Sequence, residues 1–350
     1  MHLSRLSLHQ FTSFQEVHLE LVPGVNVFIG ENATGKSHVL KLLYALSESV
    51  RRHVGGEGLD GRKGEPLESV VQEMLRGVFL PDELGRLVRR VPKGAKTATV
   101  AAQWANGASI ELSLTTQGAF RVKLEGDFAS LGNSVFIPTR EVLSVYPGFT
   151  AAWLKRESEF DRTYYEICVL LGLNLLRGPR DETRRRLIEP IERAIHARVH
   201  QDNGRFYLKY DEGGDIEAQL AAEGHRKLGM IAYLIANGSL TDNSFLFWDE
   251  PEAGINPLLV RVTGDVIFGL AKTGLQNFLS THDYIFASNL SLRADQGSTR
   301  FFAFGRTDAG VGVESGARMS DLEHNPILDA FVDLHARERA AFLAGGSGGP

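Results

Sequence analysis

The run Gly30-Glu31-Asn32-Ala33-Thr34-Gly35-Lys36-Ser37 constrains this chain more than any other feature, because of what stands on either side of it. Before it, Val25-Asn26-Val27-Phe28-Ile29 is a short apolar run of buried-strand type that stops at Gly30. After it, Val39, Leu40, Leu42, Leu43 and Leu46 fall at helical spacing. Strand, glycine loop and helix in that order make a phosphate-wrapping loop. The glycines let the backbone curl around an anion, while amide N–H groups and the helix N-terminus supply positive potential. In that geometry Lys36 reaches the β and γ phosphates of a nucleotide and the Ser37 hydroxyl ligates Mg²⁺. Gly30, Glu31, Asn32, Ala33, Thr34, Gly35, Lys36 and Ser37 are therefore expected to bind nucleotide.

Two further segments deliver polar groups to strand ends. Phe245-Leu246-Phe247-Trp248 is fully apolar and runs into Asp249-Glu250-Pro251. An Asp at such a strand end holds the metal in P-loop NTPases, which assigns Asp249 to Mg²⁺. Glu250, next on the chain, is expected to orient or deprotonate the attacking water, which a carboxylate does when held within hydrogen-bond reach. About thirty residues on, the apolar Phe278-Leu279 leads to Ser280-Thr281-His282, and an imidazole there can hydrogen-bond the γ phosphate. The expected catalytic set is Lys36, Glu250 and His282.

With these pieces in order, the chain resembles the ABC-type P-loop ATPases of the RecF, SMC and OLD group. The resemblance includes a signature-like helix start at Ala222-Glu223-Gly224-His225-Arg226-Lys227-Leu228 and the block Asp249-Glu250-Pro251-Glu252-Ala253-Gly254-Ile255-Asn256-Pro257. It is most like the stand-alone OLD-like and AbiEii-like AAA-family ATPases of bacterial phage-defence systems, specifically over residues 1 to 45 and 222 to 288. The resemblance implies two heads that sandwich two ATP molecules, with Gly224 donating its backbone N–H to the γ phosphate held by the partner. Ala222 replaces the family's usual serine, so one contact across the dimer is missing, and His225, Arg226 or Lys227 could compensate. Arg140, in Pro138-Thr139-Arg140-Glu141, falls where such ATPases couple the γ phosphate to the lobe beyond, and Asn256 falls where their dimer-crossing loop lies.

The expected fold is α/β, a P-loop core with an ABC-like mixed sheet flanked by helices and a largely helical insertion lobe. Residues 1–50 and 200–320 form the core. Residues 51–199 form the insertion, carrying a hairpin over 97–124 with Asn106-Gly107 as its turn and a coupling-loop strand near 135–141. Residues 321–350 supply a C-terminal helix and a disordered tail from Gly345.

Composition limits the setting. With 38 Lys plus Arg against 43 Asp plus Glu, the net charge of −5 argues against coating nucleic acid through bulk charge. Local basic clusters keep DNA or RNA contact open, namely Arg51-Arg52-His53, Arg62-Lys63, Arg184-Arg185-Arg186, and the series Arg86, Arg89 and Arg90 with Lys93 and Lys96. The i, i+3, i+4 spacing of Arg86, Arg89 and Arg90 would put them on one helical face. Cys168 is the only cysteine, which excludes an intramolecular disulfide and a cysteine-built zinc site. No membrane segment is apparent and a cytoplasmic location is expected.

The function this implies is an ATP-hydrolysing switch with ATP and Mg²⁺ as ligands. It would act as a homodimer or higher homo-oligomer that controls an effector in trans, a toxin or nuclease, in antiphage defence. Two alternatives stay open: a RecF- or SMC-like DNA-repair clamp, against whose SMC form the absence of heptads counts, and an ATP-gated scaffold that holds an effector with only slow hydrolysis.

Overall fold

A computed structural model describes residues 1–90, 94, 96–155, 157, 159–177, 181–307 and 310–345. The tail 346–350 and Lys93 of the basic series lie outside them. In chain order the elements are β1 (Leu3–Phe11), β2 (Phe14–Glu20), β3 (Val25–Gly30), α1 (Lys36–Val54), α2 (Leu67–Phe79), β4 (Thr97–Trp104), β5 (Ser109–Thr115), β6 (Phe120–Glu125) and β7 (Ser134–Ile137). There follow α3 (Phe149–Leu154), α4 (Arg162–Leu171), α5 (Glu182–Ile195), β8 (Ala197–Asp202), β9 (Arg205–Tyr210), β10 (Gly214–Glu217), α6 (Glu223–Ala236) and β11 (Phe245–Asp249). The last are α7 (Pro257–Lys272), β12 (Gln276–Thr281), α8 (Tyr284–Ser291), β13 (Thr299–Thr307), β14 (Gly310–Gly316) and α9 (Pro326–Gly345).

The continuous apolar runs make the central layer. A mixed six-stranded sheet has the order β14-β13-β3-β12-β11-β7, with β3 parallel to both of its neighbours and β14 antiparallel at one edge. Every residue of β3, β7, β11 and β12 is buried, as expected of strands covered on both faces. Alternate side chains serve two cores. Phe28, Phe136, Phe247 and Phe278 face α1 and the N-terminal sheet, and the Phe247 and Phe278 rings stack with centroids 4.9 Å apart. Val27, Ile137, Trp248 and Leu279 face the opposite way, toward α5 to α8. The strands β3, β7, β11 and β12 run in one direction, so their carboxyl ends, Gly30, Ile137, Asp249 and Thr281, share one edge.

A five-stranded antiparallel sheet, β2-β1-β4-β5-β6, covers the first core, and a three-stranded sheet, β10-β9-β8, leads into α6. The hairpin expected inside the insertion is thus part of the N-terminal sheet, since β4 pairs with β1 from Leu3↔Trp104 to His9↔Thr99. The reason is its alternation: Ala98, Val100, Ala102 and Trp104 form one apolar face that is buried among the residues of β1, α1 and α2. Likewise β7 is an edge strand of the central sheet. Boundaries at 51 and 199 therefore cut through both sheets, and the helical part of that span is α2 to α5. The expected helical face at Arg86, Arg89 and Arg90 does not form. A single 3₁₀ turn ends at Leu87, then Val88 bridges to Phe11 and the Arg89 N–H donates to the Gln10 carbonyl at 2.8 Å, so the chain is extended there.

Candidate active site

The loop after β3 is shaped by backbone that few residues adopt. Gly30 has φ 141° and Gly35 φ 91°, and a Cβ on Gly30 would lie 2.3 Å from the Phe304 carbonyl oxygen. Ala33 also stands in the left-handed region, at φ 61°. Lys36, 7% exposed, folds back over the loop and donates from Nζ to the carbonyls of Gly30 at 2.7 Å and Glu31 at 2.6 Å. Burial lowers its pKa, and the carboxylates of Asp249, Glu250, Glu252 and Glu31 oppose that shift. The Thr34 hydroxyl ties the loop by donating to the Glu31 carbonyl at 2.8 Å.

Opposite the loop, Ser37 Oγ donates to Asp249 Oδ1 at 2.9 Å, and Ser280 Oγ donates to the same oxygen. Ser280 was not singled out from the sequence, although its place at the end of β12, in register with Asp249, was a usable signal. Glu250 has φ 49°, a left-handed conformation that costs a non-glycine residue on the order of 1 kcal/mol or more. Its N–H donates to the Ser280 carbonyl at 2.9 Å, and its Oε1 lies 3.0 Å from His282 Nδ1, an ion pair when the ring is protonated. A cavity of about 280 Å³ opens between loop and carboxylate, lined by Ser13, Asn32, Ala33, Gly35, Lys36, Ser37, His38 and Glu250. Ser13 reaches it because the β1–β2 turn packs on Gly35, where an added Cβ would lie 2.6 Å from Ser13 Oγ. Phe11 and Phe14 on either side are fully buried core.

The structure thus gathers Asn32, Ala33, Gly35, Lys36, Ser37 and Glu250 around one cavity, with Asp249 and His282 attached by direct contact and Gly30, Glu31 and Thr34 as loop framework. Arg140 and Gly224 lie outside that cavity. Arg140 is exposed beyond β7, and Gly224 is buried at the start of α6 against Gly254, Ile255 and Leu259. Among the described residues no group of three or more His, Cys, Asp and Glu could hold a metal by itself. The Ser37 hydroxyl and Asp249 carboxylate do fit Mg²⁺, which takes one or two carboxylates and completes its shell with water and phosphate.

Three residues proposed to compensate for Ala222 are engaged inside the chain. His225 Nδ1 lies 3.0 Å from the Tyr210 hydroxyl, and Arg226 Nε donates to Glu141 Oε1 at 2.7 Å. Lys227 is 0% exposed; burial pushes its pKa down to about 8, and Glu252, Glu223, Glu250 and Asp249 resist the shift. Ala222 itself stands at the N-cap of α6 with no side-chain bond to offer. The basic clusters are mostly paired too: Arg51 and Arg52 with Glu48, Arg62 with Glu65 and Glu73, Arg86 with Asp82, and Arg184, Arg185 and Arg186 with Asp181 and Glu182.

Solved structures of similar fold include heads of SMC proteins. An SMC head bound to the C-terminal winged-helix domain of ScpA superposes with a TM-score of 0.60 at 14% identity, covering 93% of this chain and 100% of that one. The chain has the fold of an ABC-type P-loop ATPase head. A second SMC head, with an extended coiled coil and bound to the C-terminal domain of ScpA derived from Pyrococcus furiosus, superposes on this chain at a TM-score of 0.55 and 13% identity, covering 97% of this chain and 99% of that one. A family model described as AAA domain, putative AbiEii toxin, Type IV TA system matches residues 117–288, which include Gly224, Asp249, Glu250 and His282. By sequence the chain is similar to the DNA replication and repair protein RecF of Halalkalibacterium halodurans, 47% identical over 53 residues, and of Renibacterium salmoninarum, 38% over 77 residues. These matches cover 15% and 22% of the chain, and it spans only 14% and 19% of those relatives. The fold is that of SMC heads, and the sequence similarity to RecF is confined to these short segments. Among the described residues no helix is long and apolar enough to cross a membrane.

Proposed function

We propose that this chain binds Mg·ATP in the cavity between the Gly30–Ser37 loop and Glu250, hydrolyses it to ADP and phosphate, and uses the nucleotide to close two heads on each other. The observation that carries this reading is the meeting of Lys36, the Ser37–Asp249 pair and the Glu250–His282 pair at one sheet edge. Loop amides and Lys36 would hold the phosphates, with Lys36 exchanging its carbonyl partners for phosphate oxygens. Ser37 and Asp249 would hold Mg²⁺, which neutralises charge on the β and γ oxygens when bound. Glu250 would take a proton from water as the water oxygen bonds to the γ phosphorus and the bond to the bridging oxygen breaks. His282 holds the Glu250 carboxylate from the side and would bond the γ phosphate. A second copy would bring Gly224 to the far side of the nucleotide.

The resemblance to phage-defence ATPases supports nucleotide-controlled action on an effector protein, a toxin or nuclease supplied in trans. A second reading, a DNA-repair clamp, is favoured by the RecF similarity and the SMC-head fold. The pairing of the arginine clusters with carboxylates leaves less free positive surface for that role than the sequence suggested.

The test is sedimentation of Glu250→Gln protein with and without Mg·ATP, beside wild-type turnover and Lys36→Ala binding. The expected result is an ATP-dependent doubling of mass, measurable wild-type turnover, a loss of at least about 10²-fold in Glu250→Gln turnover, and no nucleotide binding by Lys36→Ala. Absence of both ATP binding and turnover in wild type at concentrations that permit dimerisation would overturn the reading.

A further inference from the structure

Lys227 lies one turn into α6, the helix whose first residues are the signature-like segment, yet its side chain points inward and is fully buried. A buried ammonium is costly unless its protons are bonded. Lys227 Nζ donates to three carbonyls: Thr139 at 3.1 Å, Glu250 at 2.9 Å and Ala253 at 2.9 Å. An ammonium has three N–H donors and no acceptor, so all three protons are used. The acceptors come from three separate segments, the exit of β7, the residue after β11, and the turn that leads into α7. One of them is the carbonyl of the residue held at φ 49°.

A left-handed glutamate persists only where its surroundings over-determine it. At Glu250 the N–H is fixed by the Ser280 carbonyl, and the C=O accepts from Lys227 at 2.9 Å as well as from the Ala253 N–H at 3.1 Å, so the peptide groups on both sides are pinned. Those bonds together set where the side chain leaves the backbone, and the Lys227 bond is the one that ties it to α6; from there the side chain reaches the cavity and His282. We propose that Lys227 is a positioning residue for Glu250, holding the backbone that aims this carboxylate and tying it to the start of α6 and to the exit of β7. A shift of the α6 start cannot then occur without pulling on the Glu250 and Thr139 carbonyls together. The segment that would meet a second head is thereby mechanically joined to the group that would activate water. The inference rests on the hydrolysis reading above and adds to it the residue that couples the two.

The experiment compares full-length wild type, Lys227→Met, Lys227→Arg, Glu250→Gln and the Lys227→Met/Glu250→Gln double variant. Binding of a non-hydrolysable ATP analogue with Mg²⁺, kcat and KM for ATP, and thermal midpoint are measured for each. Lys227→Met keeps length and burial but removes every donor. Its kcat is expected to fall on the order of 10²-fold, the loss that misplacement by about an ångström brings, with analogue binding and KM within about twofold. Lys227→Arg, which restores N–H donors, should recover part of kcat. Because Lys227 acts through the Glu250 carboxylate, the double variant should turn over no more slowly than Glu250→Gln alone. Unchanged kcat in Lys227→Met, multiplicative losses in the double variant, or a kcat loss matched by equal losses of binding and folded fraction would each overturn the positioning role. If Lys227→Met does not fold, Lys227→Arg and Lys227→Gln carry the same division between kcat and KM. A wild type that neither binds nor hydrolyses ATP would sink the hydrolysis reading instead, so the two failures are distinguishable.

Discussion

A largely buried carboxyl group with one oxygen unpaired is a liability at neutral pH, and Glu252 is so placed. Its Oε1 accepts from Thr281 Oγ1 at 2.6 Å, while Oε2 is buried without a partner. Burial pushes its pKa up to about 7, with the Asp283 charge adding to the shift and the Thr281 bond and His282 opposing it. A carboxyl whose folded pKa lies above its unfolded value binds protons more tightly when folded, so its destabilising contribution is absent below about pH 4.5, grows between pH 4.5 and 7, and is complete above. Nucleotide-free Glu252→Gln should therefore gain stability over wild type on passing from pH 5 to pH 8. The gain is on the order of 1–2 kcal/mol, less than the shift alone implies because Lys227 loses an attractive charge. Parallel denaturant titrations at the two pH values check it, and a difference that shrinks with pH would refute it. At this scale the sequence was legible where chemistry is local. Residues 30–37 and 249–250 announce themselves because a phosphate loop and a strand-end acid are defined by neighbours on the chain. Lys227 was expected to act across the dimer rather than inside the chain, and Ser280 was given no role, because each acquires its place from a segment distant in sequence.

Among the elements, α7 begins at Asn256, whose Oδ1 accepts from the N–H groups of Leu258 and Leu259 at 3.0 Å, with Pro257 in the first turn. Whatever part Asn256 plays across a dimer, it caps this helix. Asn256→Ala should cost about 1 kcal/mol, whereas Asn256→Asp should keep the cap and most of the stability. Thermal or urea unfolding of the two variants separates them. Element types were readable from period alone in most of the chain. The alternation from Thr97 gave a strand pair correctly, yet it could state only that one face is buried, not that the burying partner is β1, some ninety residues upstream. The arginines at 86, 89 and 90 misled for a related reason: charge spacing has no force when Val88 is drawn to Phe11 and the backbone is pulled straight.

For the molecule as a whole, the joint between the N-terminal and central sheets is polar. The buried Gln276 side chain accepts from the Leu3 N–H at 2.8 Å and donates to the carbonyls of Leu3 and Val22, each at 2.8 Å. Asn26 adds bonds to both backbone groups of Val22. Gln276→Ala would strand the Leu3 N–H and C=O and remove one of the two side-chain bonds to the Val22 carbonyl, and a loss of at least about 2 kcal/mol in unfolding free energy is expected. A loss under about 1 kcal/mol, read from the denaturation midpoint at unchanged slope, would mean water or repacking replaces the amide. No sequence pattern exposes such a joint, because an amide at the start of an apolar strand reads as a boundary.

The strand that carries the phosphate loop is flanked on both sides by strands from about 250 residues further along the chain. At roughly 5–20 residues per second, a ribosome leaves β3 with two open edges for on the order of 10–50 s. The backbone at Gly30 meets its close neighbour only when Phe304 has been made. A growing chain therefore cannot capture nucleotide early, and the binding loop acquires its shape as one of the last acts of folding rather than as a nucleus for it.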